Sequence, residues 1–508
     1  MIRKKEVREF LNRKLDSFVW MKKISKDEIM EAIAALPGFT HFKTDPFFHQ
    51  LVCFYIGACR PEFLFFLDMG LGKTKIILDI LTYRMQLDQV KKSLILVPND
   101  VNVENWVGEV RTHSDLKSIA VIGSGEERKD LIVSQGDIFL LSYYGLQALM
   151  TRKDPSGKGR LIPDDRIDIK KLFTQFQFVN FDEIQKAKNH ESLTYKLCRR
   201  VSKVCEFIYA LTGTPFGRDP QDLWTEFHLV DKGATLGDTL GMMRQAFFLE
   251  EDTFWSKQYV MDKKKTRLFY NRLQHRSIAF FEDECADLPK CISVPIELTM
   301  TSEMRKPYEE LINGMIAAGG NFIEAKGIFT KMRMLCSGHL KFEDEDGEER
   351  QVVLSHIPKM EWLKSFLQNL PDDEKVVIVY EFTKTGEFID NVISELKIKN
   401  VWLHGGLKDP ISLYRRFQTD PSCRIMNMNW RCGGTGLNLQ TARYMIYIES
   451  PVSPIDRRQT DKRCHRIGQT RRTFIYDVYM KGSKEEQILE FLAEGKDLHD
   501  ELVKGKVK

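Results

Sequence analysis

The chain has 508 residues, a length that at roughly 100–200 residues per domain allows about two to four domains. Hydrophobic residues make up 43% of it and charged residues 29%, a balance that supports sizeable cores and excludes a collagen-like, disordered or disulfide-stapled protein. Lysines and arginines number 76 against 72 acidic residues, a net charge of +4 that neither requires nor excludes a nucleic-acid partner.

No segment of the sequence resembles an export signal or a membrane span. The apolar runs, such as residues 63–67, are far shorter than the ~18 residues that a span requires. The first ten residues lack the apolar core of a signal peptide, and the scattered cysteines lack the CxxC pairs of a zinc site. We expect a cytoplasmic protein with reduced thiols, no zinc and no membrane partner.

The predicted elements begin with two short amphipathic helices in residues 1–40. From residue 60 onward, short apolar runs alternate with helical segments, which is typical of strands buried on both faces of a parallel sheet. The predicted strands of this stretch are 63–67, 93–98, 118–123, 137–142, 176–181 and 206–211. The alternation predicts a first α/β lobe over residues 41–231.

The alternation stops between residues 232 and 290, which we predict to be a helical linker or protrusion. A strand at 291–298 follows, and then a helical insertion at about 300–340. The parallel pattern returns in the predicted strands 375–380, 400–405, 423–428, 443–448 and 473–478. We therefore expect an α/β fold with two parallel-sheet lobes, the second over residues 291–490, and a C-terminal tail at 491–508.

A glycine-rich turn at residues 67–74 links a predicted strand to a predicted helix. Glycines allow the backbone to approach a ligand closely, and backbone N–H groups at the positive end of a helix favour an anion. In a phosphate site, Lys73 would reach the β- and γ-phosphates and Thr74 would offer its hydroxyl to Mg²⁺. A turn without a ligand is the alternative. The candidate ATP-binding residues here are Met69, Gly70, Leu71, Gly72, Lys73 and Thr74.

An acidic pair, Asp182 and Glu183, directly follows the predicted strand 176–181. Asp182 would hold Mg²⁺ through its water shell, and Glu183 would polarise the attacking water. An exposed turn at the end of a strand is the alternative. The phosphate-binding pattern upstream favours the first interpretation, because an ATP site requires both halves.

Several strings of the sequence together resemble the motifs of one ATPase family. Residues 68–74 (DMGLGKT), 182–189 (DEIQKAKN) and 211–215 (LTGTP) are similar to motifs I, II and III of superfamily-two helicases. Residues 433–439 (GGTGLNL) and 457–469, which end in RCHRIGQ, are similar to motifs V and VI of the Swi/Snf-type ATPases. The resemblance covers most of the chain and is to a minimal bacterial or phage-like member.

The resemblance implies two RecA-like lobes, with ATP in the cleft and DNA across both. It places Gln50 where the family's glutamine reads adenine, and Gly436 in the nucleotide site. It assigns Arg463 and Arg466 to the motif VI arginines that reach the γ-phosphate, a role that contributes roughly 10³–10⁵ in rate. Without ATP chemistry these arginines would be surface residues of an exposed helix. The predicted catalytic residues are Lys73, Glu183, Arg463 and Arg466, and the predicted Mg²⁺ ligands are Thr74 and Asp182.

The same resemblance implies nucleic-acid contacts, since the family tracks duplex DNA through its phosphates. For Trp106 a packed core position is the alternative. The basic stretches at 263–265 and 471–472 would also suit phosphates, with an ordinary solvated face as the alternative. The candidate contacts are Asn105, Trp106, Tyr143, Thr435 and Asn438.

The sequence thus predicts a monomeric, ATP-dependent translocase on double-stranded or branched DNA. It would hydrolyse ATP with Mg²⁺ and remodel DNA or the proteins bound to it, in a bacterial or phage-infected cell. A strand-separating DNA or RNA helicase of superfamily two is the enzyme alternative, which preferential stimulation by single strands would support. A nucleic-acid-binding scaffold with an inert ATPase is the non-enzyme alternative, and the joint presence of the catalytic and metal-binding groups argues against it.

Overall fold

The computed structural model separates the chain into two compact units, Met1–Ala286 and Asp287–Lys508. Each unit is built around one parallel sheet. The structure describes residues 4–12, 15–153, 161–163, 168–213, 220–252, 257–285, 289–317, 322–343, 349–407, 409–431, 437–465 and 469–503.

The first unit alternates strands and helices along the chain. Its described strands are β1 (Glu62–Leu67), β2 (Ser93–Val97), β3 (Ser118–Ala120), β4 (Ile138–Ser142), β5 (Thr151–Lys153), β6 (Leu161–Pro163), β7 (Phe178–Asp182), β8 (Phe207–Thr212), β9 (Phe248–Asp252), β10 (Lys257–Met261) and β11 (Ser277–Phe280). Its described α-helices are α1 (Lys4–Leu11), α2 (Lys26–Ala34), α3 (Phe48–Cys59), α4 (Lys73–Gln86), α5 (Asp100–His113), α6 (Gly125–Ile132), α7 (Tyr143–Met150), α8 (Ile169–Phe173), α9 (Leu193–Ser202), α10 (Asp222–Asp231), α11 (Leu240–Phe247), α12 (Thr266–Leu273) and α13 (Glu282–Cys285). Short 3₁₀ helices cover Val19–Lys23 and Ile184–Ala187.

The sheet of the first unit has the strand order β11-β1-β8-β7-β2-β4-β3, and its neighbouring strands are parallel. Strands β2, β4, β7 and β8 are buried along their whole length, as continuous apolar runs predict for a sheet covered on both faces. Because β8 lies between β1 and β7, the carboxyl ends of these three strands lie side by side. All six strands predicted for this stretch are present.

Residues 232–290 differ from the predicted helical segment. They contain helices, but also an antiparallel hairpin of β9 and β10 and the strand β11, which pairs with β1 in the main sheet. The apolar run of β11 is only four residues long, so periodicity could not identify it. The strand forms because β1, more than 200 residues earlier in the chain, offers it a parallel edge.

The predicted N-terminal helices are present and pack on the first unit. Ser25 and Glu28 form a reciprocal capping box at the start of α2, which satisfies N–H groups that the first turn leaves free. The ring of Phe10 lies 6.3 Å from that of Phe247, and the Arg272 guanidinium lies 4.0 Å from the Phe10 ring. The N-terminal segment is therefore anchored to α11 and α12.

The second unit has a smaller parallel sheet. Its described strands are β12 (Cys291–Leu298), β13 (His339–Glu343), β14 (Glu349–Val353), β15 (Val376–Tyr380), β16 (Asn400–Leu403), β17 (Ile425–Asn429), β18 (Tyr444–Tyr447) and β19 (Thr473–Met480). Its described helices are α14 (Ser302–Ala317), α15 (Phe322–Cys336), α16 (Pro358–Gln368), α17 (Thr383–Glu395), α18 (Pro410–Thr419), α19 (Pro454–Asp461) and α20 (Lys484–Val503). Helix α20 extends through most of the predicted tail.

The sheet of the second unit has the order β12-β19-β18-β15-β17-β16, again with parallel neighbours. Adjacent residues of β15 belong to different hydrophobic clusters, Ile378 to one and Val377 to the other. Both faces of the sheet are therefore covered. Pro295 lies in the edge strand β12, where its missing N–H removes no ladder bond that a central strand would need. The predicted α/β fold with two parallel-sheet lobes and helical insertions is confirmed. Within the described ranges, no helix is both long and apolar enough to cross a membrane.

Candidate active site

The glycine-rich turn joins the end of β1 to the start of α4. Gly70 and Gly72 have φ values of 88° and 68°, in the left-handed region that glycine adopts without strain. A Cβ on Gly72 would lie only 2.2 Å from Nε2 of Gln50. Gly72 is the N-cap residue of α4 and has no side chain to cap the helix, so the first N–H groups and the positive helix end can face an anion.

Gln50 fixes this turn from the neighbouring helix α3. Its Nε2 donates to the carbonyl oxygen of Leu71 at 3.2 Å, and its Oε1 accepts from the backbone N–H of Phe47 at 2.9 Å. His49 Nε2 lies 2.8 Å from the same Leu71 oxygen. Gln50 therefore lies against the loop, and its adenine-reading role stays a prediction.

The structure brings Lys73 and Glu183 together. Lys73 Nζ lies 3.0 Å from Glu183 Oε1, and Gln185 Nε2 donates to Glu183 Oε2 at 2.5 Å. At the end of β8, a Cβ on Gly213 would lie 3.2 Å from Lys73 Nζ, so glycine leaves room for the ammonium group. The side-by-side carboxyl ends of β1, β8 and β7 thus form one polar site.

Glu183 has an unusual backbone conformation, with φ 50° and ψ 56°. A non-glycine residue in the left-handed region is strained by roughly 1–3 kcal/mol and is frequent at functional sites. Burial opposes ionisation of this carboxyl, but Lys73 and Gln185 together outweigh it and hold the pKa of Glu183 below its usual value. Glu183 is therefore a carboxylate at neutral pH.

Asp182 is held by two aromatic side chains. Trp106 Nε1 donates to Asp182 Oδ2 at 2.9 Å, and the Tyr143 hydroxyl donates to the Asp182 backbone oxygen at 3.0 Å. Burial, and then the charge of Glu183, raise the pKa of Asp182 to about 6. An opposing cation would favour the ionised form of this carboxyl.

The buried positions of Trp106 and Tyr143 argue against their predicted contact with nucleic acid. Trp106 is 3% exposed and Tyr143 is 4% exposed, and the polar atom of each is used inside the protein. The next residue, Tyr144, is 68% exposed. A signal for Trp106 was present in the sequence, since Val103, Trp106 and Val110 recur at helical spacing and are all buried in α5.

The other predicted contacts have mixed outcomes. Asn105 is half-buried on α5, and its Nδ2 has no hydrogen-bond partner among the described residues. Asn438 is half-buried, and its backbone oxygen accepts from the Tyr414 hydroxyl at 3.1 Å. Thr435, Gly436 and Arg466 lie outside the described residues.

Arg463 is buried in the second unit, at 3% exposure. Its backbone oxygen accepts from the N–H of Leu439 at 2.8 Å, which joins the segments similar to motifs V and VI. Within the described ranges, its Nε and Nη1 have no hydrogen-bond partner, and burial lowers the pKa of Arg463 to about 10. Arg463 is not the surface residue of the alternative interpretation, and buried N–H groups that lack partners, as Nε and Nη1 do among the described residues, are costly for a fold to retain.

Two supporting residues of the second unit were missed by sequence reasoning. Arg457 forms a forked pair with Asp477 at 2.6 and 2.9 Å, and its guanidinium lies 3.8 Å from the centre of the Tyr447 ring. Gln469 Nε2 donates to the backbone oxygens of Gln440 and Ala442 at 3.0 and 3.2 Å. Both contacts join residues far apart in sequence, which local patterns do not reveal.

The donor set of the first unit fits a nucleotide with Mg²⁺. The turn offers backbone N–H groups, Lys73 a cation, and Thr74 a hydroxyl at the second position of α4. Asp182 adds a carboxylate, one oxygen of which accepts from Trp106. The described residues contain no group of three or more His, Cys, Asp or Glu that could hold a metal ion. Mg²⁺ bound together with phosphates needs only one or two carboxylates.

Comparison with known proteins identifies two matching family profiles, the SNF2-related domain over residues 20–343 and the helicase conserved C-terminal domain over residues 358–468. The uncharacterized ATP-dependent helicase MG018 of Mycoplasma genitalium is 26% identical over 438 residues, which are 83% of this chain and 38% of that protein. The ISWI chromatin-remodeling complex ATPase ISW1 of Saccharomyces cerevisiae is 22% identical over 449 residues, 83% of this chain and 37% of that protein.

Among solved structures, the Sulfolobus solfataricus SWI2/SNF2 ATPase core in complex with dsDNA matches with a TM-score of 0.41 and 22% identity, covering 92% of this chain and 94% of that one. The chain spans less than half the length of the two curated relatives named above. Because the SNF2-related profile covers well over half of its residues, the chain belongs to the SNF2-related family.

Proposed function

We propose that this chain is a Mg²⁺-dependent ATPase that is stimulated by duplex DNA and translocates along it, remodelling the DNA or the proteins bound to it. The observation that carries the proposal is the 3.0 Å contact between Lys73 and Glu183. It joins the end of the glycine-rich turn after β1 to a partly buried carboxylate after β7, which is separated from β1 by β8 in the sheet. Family membership and relatives named as ATP-dependent helicases support the same activity.

The residues of the first unit have different roles in ATP hydrolysis. The turn residues Met69, Gly70, Leu71 and Gly72 bind phosphate through their backbone N–H groups, while Lys73 neutralises charge. When bound, Mg²⁺ neutralises phosphate charge and helps to align the leaving group. Thr74 and Asp182 would hold it.

Glu183 accepts a hydrogen bond from the attacking water and polarises it. When a bound phosphate pairs with Lys73, the Glu183 carboxylate loses its cation. The affinity of Glu183 for a proton then rises. The contact between Lys73 and Glu183 therefore couples phosphate binding to the basicity of the general base. We further propose that Arg463 and Arg466 act on the γ-phosphate, as the resemblance implies.

The test is ATP hydrolysis without nucleic acid and with duplex DNA, single-stranded DNA or RNA, measured for the unmodified chain and for Lys73→Ala. We expect strong stimulation by duplex DNA and a loss of at least ~10²-fold in Lys73→Ala, because the variant removes the cation that neutralises the phosphates. Stronger stimulation by a single strand or by RNA would instead indicate a strand-separating helicase. No hydrolysis under any condition would refute the proposal.

A further inference from the structure

One exposed face of α9 carries only cations. Lys196, Arg199 and Arg200 lie on it, and Lys203 at the C-cap continues it; all four side chains are exposed. The spacing of three, four and seven residues places them on one stripe of the helix. The opposite face, with Tyr195, Leu197, Cys198 and Val201, is buried. We call the four cations the α9 stripe.

The cations of the α9 stripe are not neutralised by ion pairs within the described residues. None of the four side chains forms an ion pair with a described carboxylate, whereas neighbouring charges do: Lys188 pairs with Asp222 at 3.2 Å and His190 approaches Glu191 at 3.9 Å. The whole chain has a net charge of +4, so the four stripe residues equal the excess and the remainder of the chain is balanced. Arg199 and Lys203 also contribute, after burial, to the lowered pKa of His228.

Helix α9 begins shortly after the candidate active site in the chain and runs toward the opposite edge of the sheet, because Phe207 at the start of β8 pairs with Phe178 at the start of β7. Only the 3₁₀ helix Ile184–Ala187 and a short loop separate Glu183 from α9, and the exposed Lys186 on that 3₁₀ helix adds a further cation. Gln147 Nε2 donates to Thr194 Oγ1 at 2.7 Å, which fixes α9 to α7. A charged ligand on the stripe would therefore contact a rigid element directly connected to the general base.

We propose that the α9 stripe is a binding surface for the phosphate backbone of duplex DNA, additional to the contacts that the family motifs imply. The stripe is about 10 Å long at 1.5 Å per residue, and duplex DNA presents a phosphate about every 3.4 Å along each strand. Two of the four residues are arginines, whose planar forks match phosphate oxygens. The inference rests on the proposed DNA-dependent function.

Phosphate is favoured over an acidic protein surface as the ligand. The exposed side chains of the stripe include no aromatic or large apolar residue, and protein interfaces depend on such anchors for most of their affinity. Binding to phosphates needs only charge, and it is sequence-independent and strongly dependent on salt. A stripe of uninterrupted cations suits that mode.

The test measures binding of a fluorescein-labelled duplex by anisotropy over about 50 to 200 mM salt. The double variant Arg199→Gln/Arg200→Gln is compared with the charge-matched Lys23→Gln/Lys26→Gln, which alters exposed lysines elsewhere in the first unit. Each lost phosphate contact should reduce the slope of log affinity against log salt by about 0.9. We expect the α9 variant to lose about two slope units and the control to match the unmodified chain.

A charge-preserving variant and two control measurements distinguish a loss of DNA contacts from a loss of structure. Arg199→Lys/Arg200→Lys keeps the charge and should restore most of the slope, and the ATPase rate without DNA and the thermal melting curve of every variant should be unchanged. Equal salt slopes for the α9 variant and the control would refute the proposal that the α9 stripe binds duplex DNA. Binding of polyglutamate, a model of an acidic protein surface, is measured in parallel. If the α9 variant lost affinity for polyglutamate but kept its affinity for the duplex, the proposal would also be refuted, in favour of an acidic protein as the ligand. Failure of the unmodified chain to bind any duplex would instead refute the proposed function.

Discussion

Two cations, Lys73 in the first unit and Arg463 in the second, are held in opposite ways. In the first unit, Lys73 is paired at 3.0 Å with Glu183, so the charge is compensated locally. In the second unit, Arg463 is buried with Nε and Nη1 unpartnered among the described residues. Lys73 therefore has its counter-charge within the described residues, whereas no described carboxylate pairs with Arg463. A buried cation without a counter-charge costs stability.

Glu183→Gln breaks the compensated pair and should have the largest effect. Removing the proposed general base should lower the hydrolysis rate by roughly 10²–10⁴-fold. Nucleotide affinity should be kept or increased, because Lys73 is no longer held by a carboxylate. Single-turnover hydrolysis and equilibrium binding of a fluorescent nucleotide measure the two quantities separately. Parallel loss of binding and hydrolysis would show that Glu183 only maintains the structure.

Arg463→Met tests the uncompensated cation. We expect hydrolysis to fall by roughly 10³-fold, the lower end for an arginine that stabilises a transferring phosphoryl group. The free energy of unfolding should stay the same or rise, since an apolar side chain of similar length replaces an unpaired buried charge. The measurements are DNA-stimulated hydrolysis and urea denaturation.

Arg457→Met is the matched control for that variant. Arg457 also lies in the second unit, with its side chain 11% exposed, but it is paired with Asp477 and Asp461. Removing it leaves the buried Asp477 and the partly buried Asp461 without their cation and should lower the free energy of unfolding by roughly 3–5 kcal/mol. Similar stability changes in the two arginine variants would contradict the contrast between paired and unpaired cations.

His228 provides a pH test of the first unit. Burial, and then the charge of Arg199, lower the pKa of His228 to about 4, below the ~6.5 of an unfolded histidine. The unfolded chain therefore binds more protons between these values, so stability is complete above about pH 6.5 and decreases toward pH 4. The pKa difference corresponds to at most about 3 kcal/mol. Urea denaturation at pH 7 and at about pH 5 should show a larger loss for the unmodified chain than for His228→Gln.

Trp106→Phe tests the support of Asp182 and should have the smallest effect. The variant keeps an aromatic ring but removes the N–H that donates to Oδ2. Partners that orient a metal ligand typically contribute 10–100-fold to affinity, so Mn²⁺ binding in the presence of ADP, followed by electron paramagnetic resonance, should weaken by about that factor. Trp20→Phe, at an exposed residue of the first unit, should leave Mn²⁺ affinity unchanged. Equal affinities for both variants would exclude the positioning role.

Sequence patterns predicted the structural features that depend on residues close together in the chain. The buried strands, the left-handed glycines of the turn and the acidic pair at the end of β7 all follow from local composition. The patterns failed where a distant partner decides the outcome. The helical spacing of Trp106 indicates burial, but it does not reveal that Asp182, 76 residues away, accepts the Trp106 N–H, and β11 forms because it pairs with the distant β1. Tyr143 and Tyr144 are chemically alike, and only the packing of α7 determines which of them faces solvent.

The left-handed backbone at Glu183 has a consequence for mutational scanning. In a library of all substitutions at this position, folding and ATP turnover would depend on different properties of the side chain. Folding yield would follow backbone preference and favour glycine, asparagine and aspartate, with β-branched residues poorest. ATP turnover would follow chemistry and favour glutamate. The abundance and activity maps of such a library should therefore rank the substitutions at position 183 in different orders.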